Sequence, residues 1–251
     1  MLALPILRDF APISLHEMDG VALQFRMDTK YLFNQARLEE LFAVLQHGYR
    51  MLDIDGARGV DYETRYFDTR GLKHYFDHHN GRTFRSKIRA RRYGGSGLCV
   101  LEVKRRTGRG GTDKRRTPLP ALPEVLDAAQ QEFAALHSGC PEPLFPVLGN
   151  TFHRLTLVHR ERLERITIDT AIQFAHHGRE VVLPGLVVAE LKEARSGHGS
   201  PFAAAMRRWA VPPTSFSKYC IGTALTDPSL KRNAFKPILI QADRAANHPS
   251  A

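Results

Sequence analysis

RTFRSKIRARRYGGSGLCVLEVKRR, Arg82–Arg106, is the stretch whose reading decides the fold. It reads as two long strands joined by a hairpin turn at Gly94-Gly95-Ser96-Gly97. Successive side chains of a strand point to opposite faces. Arg85, Lys87, Arg89 and Arg91 therefore share one face of the first strand, with Phe84, Ser86, Ile88 and Ala90 on the other. In the second strand Glu102, Lys104 and Arg106 share a face, opposite Leu101 and Val103. The stretch is a row of cations on one side of a sheet whose other side is apolar.

Outward from the hairpin the pattern repeats. Gln24–Phe33 alternates Arg26, Asp28 and Lys30 against Met27, Thr29, Tyr31 and Phe33. Asn34 then offers an N-cap, and Leu38, Leu41, Phe42 and Leu45 follow at helical spacing, predicting a helix to about His47. Strands are predicted near Arg50–Asp55 and Val60–Asp68, and a short helix or turn between Gly71 and Gly81. Thr112–Thr117 reads as a third strand of the hairpin meander, with Lys114 and Arg116 on one face. A helix is predicted over Glu124–Leu136, then a linker-like run around Pro141, Pro143 and Pro146. Phe152–Arg160 sets Arg154, Thr156, Val158 and Arg160 against Leu155 and Leu157. Arg162–Thr170 sets Arg165, Thr167 and Asp169 against Ile166 and Ile168, and Leu186–Ala194 puts Glu190 and Lys192 together. Ser200-Pro201 starts a helix carrying Phe202, Met206 and Trp209. Residues 1–20 read as a loose lead-in, 21–226 as one domain, and 227–251 as a polar, partly disordered tail.

Composition narrows the partner. The 251 residues carry a net charge of +10, which points to an anion: nucleic acid, an anionic membrane or a phosphorylated small molecule. The three cysteines form no CxxC pair, which argues against a disulfide framework or zinc site and fits a reducing, cytoplasmic setting. MLALPILRDF lacks a basic n-region, so no signal peptide is expected, and no apolar run approaches the ~20 residues that span a bilayer.

Strands with charge on one face and aliphatics on the other would be satisfied by a sheet closed into a barrel, charges inside and helices outside. The fold class expected is therefore α+β, an antiparallel β-barrel forming a basic tunnel with helices packed on the outside. Such a lumen repels itself when empty and calls for a bound anion. Glu102 and Glu190 are too few to neutralise it, yet suffice to hold a divalent ion already bound to phosphate oxygens.

YFDTRGL, RSKIRARRY, LEVKRR, KRR, RITID, AELK and FSKYC, in that order from about Arg26 to Cys220, resemble the VTC-type polyphosphate polymerase domain. That domain belongs to the triphosphate tunnel metalloenzymes, relatives of the CYTH-type phosphatases. The resemblance implies that Lys30 is the lysine of the first tunnel strand. It implies that Arg89 and Arg91 hold the nucleotide triphosphate, with Lys104 on the next strand. Arg154, Arg160 and Arg165 fall on strands that supply further arginines. Glu190 matches the metal-binding glutamate, Lys192 shares its face, and Lys218 matches a lysine near the reacting phosphates. Arg85, Lys87 and Lys114 join the phosphate-binding set through the faces they occupy. The first strand departs from the family pattern: Asp28-Thr29-Lys30 stands where a glutamate, an arginine and the lysine are usual.

The resemblance implies a Mn²⁺- or Mg²⁺-dependent enzyme that transfers the γ-phosphate of ATP to inorganic polyphosphate, with Lys218, Arg89, Arg91 and Glu190 catalytic. Two alternatives stand beside it: a triphosphatase using water as acceptor, and a non-catalytic polyphosphate-binding module. Nucleic acid is disfavoured, because no aromatic platform interleaves with the cations. A membrane protein that receives the polymer would be a separate polypeptide.

Overall fold

The structure, a computed structural model, describes residues 4–19, 26–108, 111–194 and 199–247. Gln24 and Phe25, expected to open the first strand, lie outside the described residues. Eleven strands and seven α-helices are described. The chain runs β1 (Ala11–Ile13), α1 (Leu15–Asp19), β2 (Arg26–Asn34), α2 (Leu38–Leu45), β3 (Tyr49–Leu52), β4 (Gly59–Asp68) and α3 (Lys73–His79). It continues with β5 (Arg85–Tyr93), β6 (Cys99–Arg106), β7 (Thr112–Leu119), α4 (Ala128–Ser138), β8 (Phe145–His159) and β9 (Glu164–His176). It ends with β10 (Arg179–Leu183), β11 (Leu186–Ala194), α5 (Pro201–Arg208), α6 (Lys218–Thr226) and α7 (Lys236–Asn247).

The strands form one sheet in the order β2-β11-β9-β8-β4-β5-β6-β7, with β3 and β10 attached to β8 and β9. Every pairing is antiparallel except β1 with β3. The expected hairpin is present: Arg89 pairs with Glu102 and Lys87 with Lys104. Its turn lies close to β4, where Gly94 donates to Asp61 O at 2.8 Å. A Cβ at Gly94 would sit 2.8 Å from that same oxygen, so the position needs glycine.

The sheet curls but does not close, which corrects the expected barrel. Among the described residues β2 and β7 do not pair. The outer edge of β2 is instead met at Lys30 by Thr214, ahead of α6. The outer edge of β7 carries Arg115, Arg116 and Pro118, groups that blunt an open strand edge.

The convex face is covered as the alternation requires. Tyr31, Phe33, Leu155, Leu157, Ile166, Ile168, Val187 and Leu191 pack with Leu41, Phe42 and Leu45 of α2 and Phe202 and Met206 of α5. Ile88, Ala90, Leu101 and Val103 pack with Ala134 of α4. Each of the larger aliphatic and phenylalanine side chains, fully buried, contributes roughly 1.5–3 kcal/mol of hydrophobic stabilisation.

Helix α6 packs on the other face, with α7 in the same cluster. Leu32, Tyr66, Phe152 and Val188, which point to the concave side, pack with Phe216, Tyr219, Cys220 and Ala224 at α6. That helix fills one end of the trough. A Cβ at Gly222 would sit 2.4 Å from Phe174 and 2.7 Å from Leu148, so glycine sets how closely α6 lies on β8 and β9. Tyr219 donates to the buried Asp68 carboxylate, which also accepts the backbone N–H groups of Thr69, His74 and Tyr75. The plug is thereby tied to the start of α3.

Four local expectations change. The described part of the lead-in, residues 4–19, is folded: Leu7, Phe10 and Ile13 are buried. The tail carries α7, docked by Asn34 Nδ2 donating to the carbonyls of Ala245 and Ala246. The linker-like run passes into β8 at Phe145. The helix expected from Glu124 begins at Ala128, because Asp127 and Gln130 form a capping box there.

Candidate anion-binding site

The concave face holds one cavity of about 480 Å³. Lys30 reaches it from β2, Lys87, Arg89 and Arg91 from β5, and Glu102 and Lys104 from β6. Lys114 and Arg116 enter from β7, Arg154 from β8, and Arg165 and Asp169 from β9. Glu190 and Lys192 come from β11 and Lys218 from the first turn of α6. Eleven cationic side chains therefore face three carboxylates. The sequence-predicted Lys30, Lys87, Arg89, Arg91, Lys104, Lys114, Arg154, Arg165, Glu190, Lys192 and Lys218 come together here. Arg85 and Arg160 do not. Arg85 donates to Arg82 O beside a separate small pocket of about 90 Å³. Arg160 lies beyond the end of β8 and is exposed, because the strand stops at His159.

Each carboxylate organises cations around it. Glu102 lies 2.6 Å from Arg89 Nη2, 2.8 Å from Lys114 Nζ and 2.9 Å from Arg116 Nε. Asp169 accepts Arg154 Nε at 2.6 Å and Nη2 at 2.8 Å, and also accepts Lys218 Nζ. Lys192 Nζ is 2.8 Å from both Glu190 and Asp28. Lys30 Nζ donates to Phe216 O at 2.6 Å, which fixes the segment leading into α6. Ser217 caps that helix by accepting from Cys220 N, and so places Lys218 at its first position. Aromatic rings orient the arginines. Tyr62 stacks on Phe152 at 5.0 Å, and the guanidinium groups of Arg91 and Arg154 both lie within 5.4 Å of these rings.

Ionisation follows the crowding. Burial would raise the Glu102 carboxyl, but Arg89 and Lys114 outweigh it and hold the group well below the usual range. Asp169 is likewise lowered, burial being outweighed by Arg154 and Lys218. Glu190 falls to about 2, Lys30 and Lys192 overcoming its burial. The lysines move the other way. Burial brings Lys104 down to about 7, aided by Arg89 and Lys114 and opposed by Glu102 and Glu190. Burial also brings Lys87, Lys114 and Lys218 to about 8.

A stability trend follows. Unfolded, Lys104 keeps its proton up to about 10.5; folded, it releases it near 7. Between these values the unfolded state binds more protons, so the empty protein gains stability as pH rises through this window. Urea denaturation from about pH 7 to about pH 9 should show a rising midpoint, with a shallower rise in Lys104→Met. A falling midpoint in the wild type would contradict the lysine assignment.

The cavity is polar in a way that asks for a ligand. Arg89 Nε and Thr167 Oγ1 are buried without a hydrogen-bond partner. No group of three or more His, Cys, Asp or Glu side chains able to hold a metal occurs among the described residues. Glu102 and Asp169 each meet two or three cations at close range, whereas Glu190 forms an ion pair with Lys192 and keeps 22% side-chain exposure. Glu190 thus fits a divalent ion whose remaining ligands are phosphate oxygens. Asp169 and Arg116 carry more of the site than the sequence assigned them. The charged face of RITID was the signal for Asp169. Tyr62 and Phe152 gave none.

Several solved structures are similar to this one. A candidate adenylate cyclase from Bacillus halodurans is 12% identical, with a TM-score of 0.49 over 77% of this chain and 94% of its own. A candidate adenylyl cyclase from Hippeastrum with a dominant triphosphatase activity is 13% identical, with a TM-score of 0.46 over 80% and 97%. The RNA triphosphatase Pct1 of S. pombe is 10% identical, with a TM-score of 0.31 over 90% and 81%. No curated protein sequence matches the chain. The family model of the VTC domain matches residues 25–226, from the start of β2 to the end of α6, and the chain belongs to the VTC domain family.

Proposed function

We propose that the chain is a metal-dependent polyphosphate polymerase of the cytoplasm, in which residues 21–226 form the catalytic domain. It transfers the γ-phosphate of ATP to the end of a growing inorganic polyphosphate chain, which a separate membrane protein can receive. The observation that carries this reading is the convergence of eleven cations on one cavity. A linear polyphosphate carries negative charge along its whole length and matches such a lining.

In this mechanism a terminal phosphate oxygen of the acceptor attacks the γ-phosphorus, the bond to the β-phosphate oxygen breaks, and ADP leaves. The transition state is loose, so positioning and charge stabilisation are the protein's main contributions. Arg89 and Arg91, two apart on β5, grip neighbouring phosphates, a task suited to planar guanidinium groups. Lys30, Lys87, Lys104 and Lys114 hold the rest of the polyanion. Lys218 approaches from α6 and stabilises the oxygens between which the phosphoryl group passes. A Mn²⁺ or Mg²⁺ ion held by Glu190 would supply further neutralisation of phosphate charge.

The test is to incubate purified protein with ATP and Mn²⁺ and resolve the products on a gel. A ladder of polyphosphate with matching ADP is expected, lost in Glu190→Gln without loss of fold. Release of orthophosphate alone would make the chain a triphosphatase, and intact ATP would make it a binding module.

A further inference from the structure

A second, smaller pocket lies outside the large cavity. It measures about 90 Å³ and sits where β5 begins and β6 ends, between α3 and the C-terminal end of α4. The pairing of Ser86 with Arg105 there is one register step from that of Lys87 with Lys104, which belong to the large cavity.

The charged lining of this pocket is Lys73, Asp77, Arg85 and Arg105. Lys73 Nζ pairs with Asp77 at 2.6 Å, so the carboxylate is already matched. Arg85 donates to Arg82 O at 2.7 Å and has no carboxylate partner among the described residues. Arg105 has none either; its guanidinium lies against Gly139, where a Cβ would stand 3.2 Å from it. Three cations against one carboxylate leave two positive charges unanswered.

His74 forms another part of the wall. It is 2% exposed, and both ring nitrogens are buried without a hydrogen-bond partner. Native proteins leave few such groups. Burial lowers the imidazole pKa against the pull of Asp68, so the ring is neutral and offers one N–H and one lone pair. The neighbouring wall is satisfied within itself. Ser86 Oγ donates to Ser138 O at 3.1 Å, and Cys140 N donates to Ser138 Oγ at 3.2 Å.

The pocket therefore calls for a small dianion that can also meet a neutral imidazole. Its volume suits one tetrahedral oxyanion and excludes a triphosphate. Water would partner the imidazole but leave the charge unanswered. Hydrogen phosphate does both: its oxygens accept from guanidinium forks, and its hydroxyl can donate. We propose that this pocket is a binding site for inorganic orthophosphate, separate from the large cavity and held by Arg85, Arg105 and His74.

The test is equilibrium dialysis against radiolabelled orthophosphate, with excess inorganic tripolyphosphate present to fill the large cavity. Wild type should retain one orthophosphate per chain. Arg105→Met keeps the aliphatic stem and removes the charge, so affinity should fall roughly tenfold or more, as for loss of a charge-assisted hydrogen bond. His74→Phe keeps a ring and removes both nitrogens; its melting temperature should rise less with added orthophosphate than that of wild type. Neither residue lines the large cavity, so tripolyphosphate affinity should be the same in all three proteins and reports an intact fold. No retained orthophosphate in wild type, or unchanged retention in Arg105→Met, would overturn the proposal. So would a parallel loss of tripolyphosphate binding in the variants. Tighter binding of glycerol 1-phosphate in a competition arm would assign the pocket to a phosphate monoester instead. Both variants lie outside the large cavity, so their difference from wild type reads this pocket whether or not the chain makes polyphosphate.

Discussion

Turnover of ATP by Lys218→Ala is expected to fall by roughly 10²-fold or more, the loss typical of removing a preorganised electrostatic group. Three features hold Lys218 in the cavity. Ser217 caps α6 and fixes where the helix begins. Asp169 accepts the Lys218 ammonium, and the Phe152 ring centroid lies 4.2 Å from Nζ. The group is therefore held before substrate arrives. It also stands on α6, whereas Arg89 and Arg91 stand on β5. A charge where acceptor and leaving oxygens meet stabilises the transition state more than bound substrate. Arg89→Ala, by contrast, should raise KM alongside any fall in kcat. Steady-state kinetics paired with nucleotide titration separates the two effects. Lost affinity with kcat retained in Lys218→Ala would make that lysine a docking group.

The second large effect is expected at Asp169. Its side chain is only 3% exposed and bridges Arg154 and Lys218, themselves 18% and 10% exposed. Asp169→Ala leaves both cations facing each other without compensation. Breaking a buried pair in this way costs roughly 3–5 kcal/mol. Urea denaturation should show that loss, and added tripolyphosphate should recover part of it by supplying the missing negative charge. Unchanged stability would mean that water already screens the pair. Polyphosphate failing to restore stability would mean that Asp169 acts through local packing instead.

Much of this was legible because charge alternation is a period-two signal, and a strand with one polar face cannot hide it. Arg85–Arg91 shows it without interruption, and Ala189–Lys192 shows it over a shorter run; both lie in strands over nearly the expected ranges. Where the period breaks, sequence reading stops early. In β9 the alternation of Arg165, Thr167 and Asp169 ends at Thr170, but the strand continues to His176. Ala171 has a φ of 50° and the register with β8 shifts there. This bulge brings Ile172 and Phe174 to the face that Asp169 occupies, so polar and apolar residues share one side. Phe174 then becomes the floor for α6.

The helix α6 itself was missed for a related reason. It is buried nearly all round, and a helix without a polar face has no amphipathic period to read. Closure of the sheet was over-read. Alternation specifies which face is polar but not whether the first and last strands meet. The lead-in carries few periodic residues, yet Phe10 and Ile13 each find a separate apolar cluster. Such contacts depend on tertiary position, which three short elements cannot announce. Lys30, Arg89 and Glu190, expected by face and by family motif, and Lys218, expected by motif alone, all line the cavity; Arg85 lies outside it, so face alone is insufficient near a strand end.

Titration calorimetry with inorganic tripolyphosphate, run at about pH 9 in two buffers of different protonation enthalpy, tests the central claim that one buried cationic cavity takes a polyphosphate. One ligand should bind per chain, with affinity falling steeply as salt is added. Binding should draw protons from the buffer, because a bound polyanion recharges lysines that burial has lowered to about 7 and 8. Several weak binding events per chain, or one event without proton uptake, would place the anion on the outer surface and contradict the account.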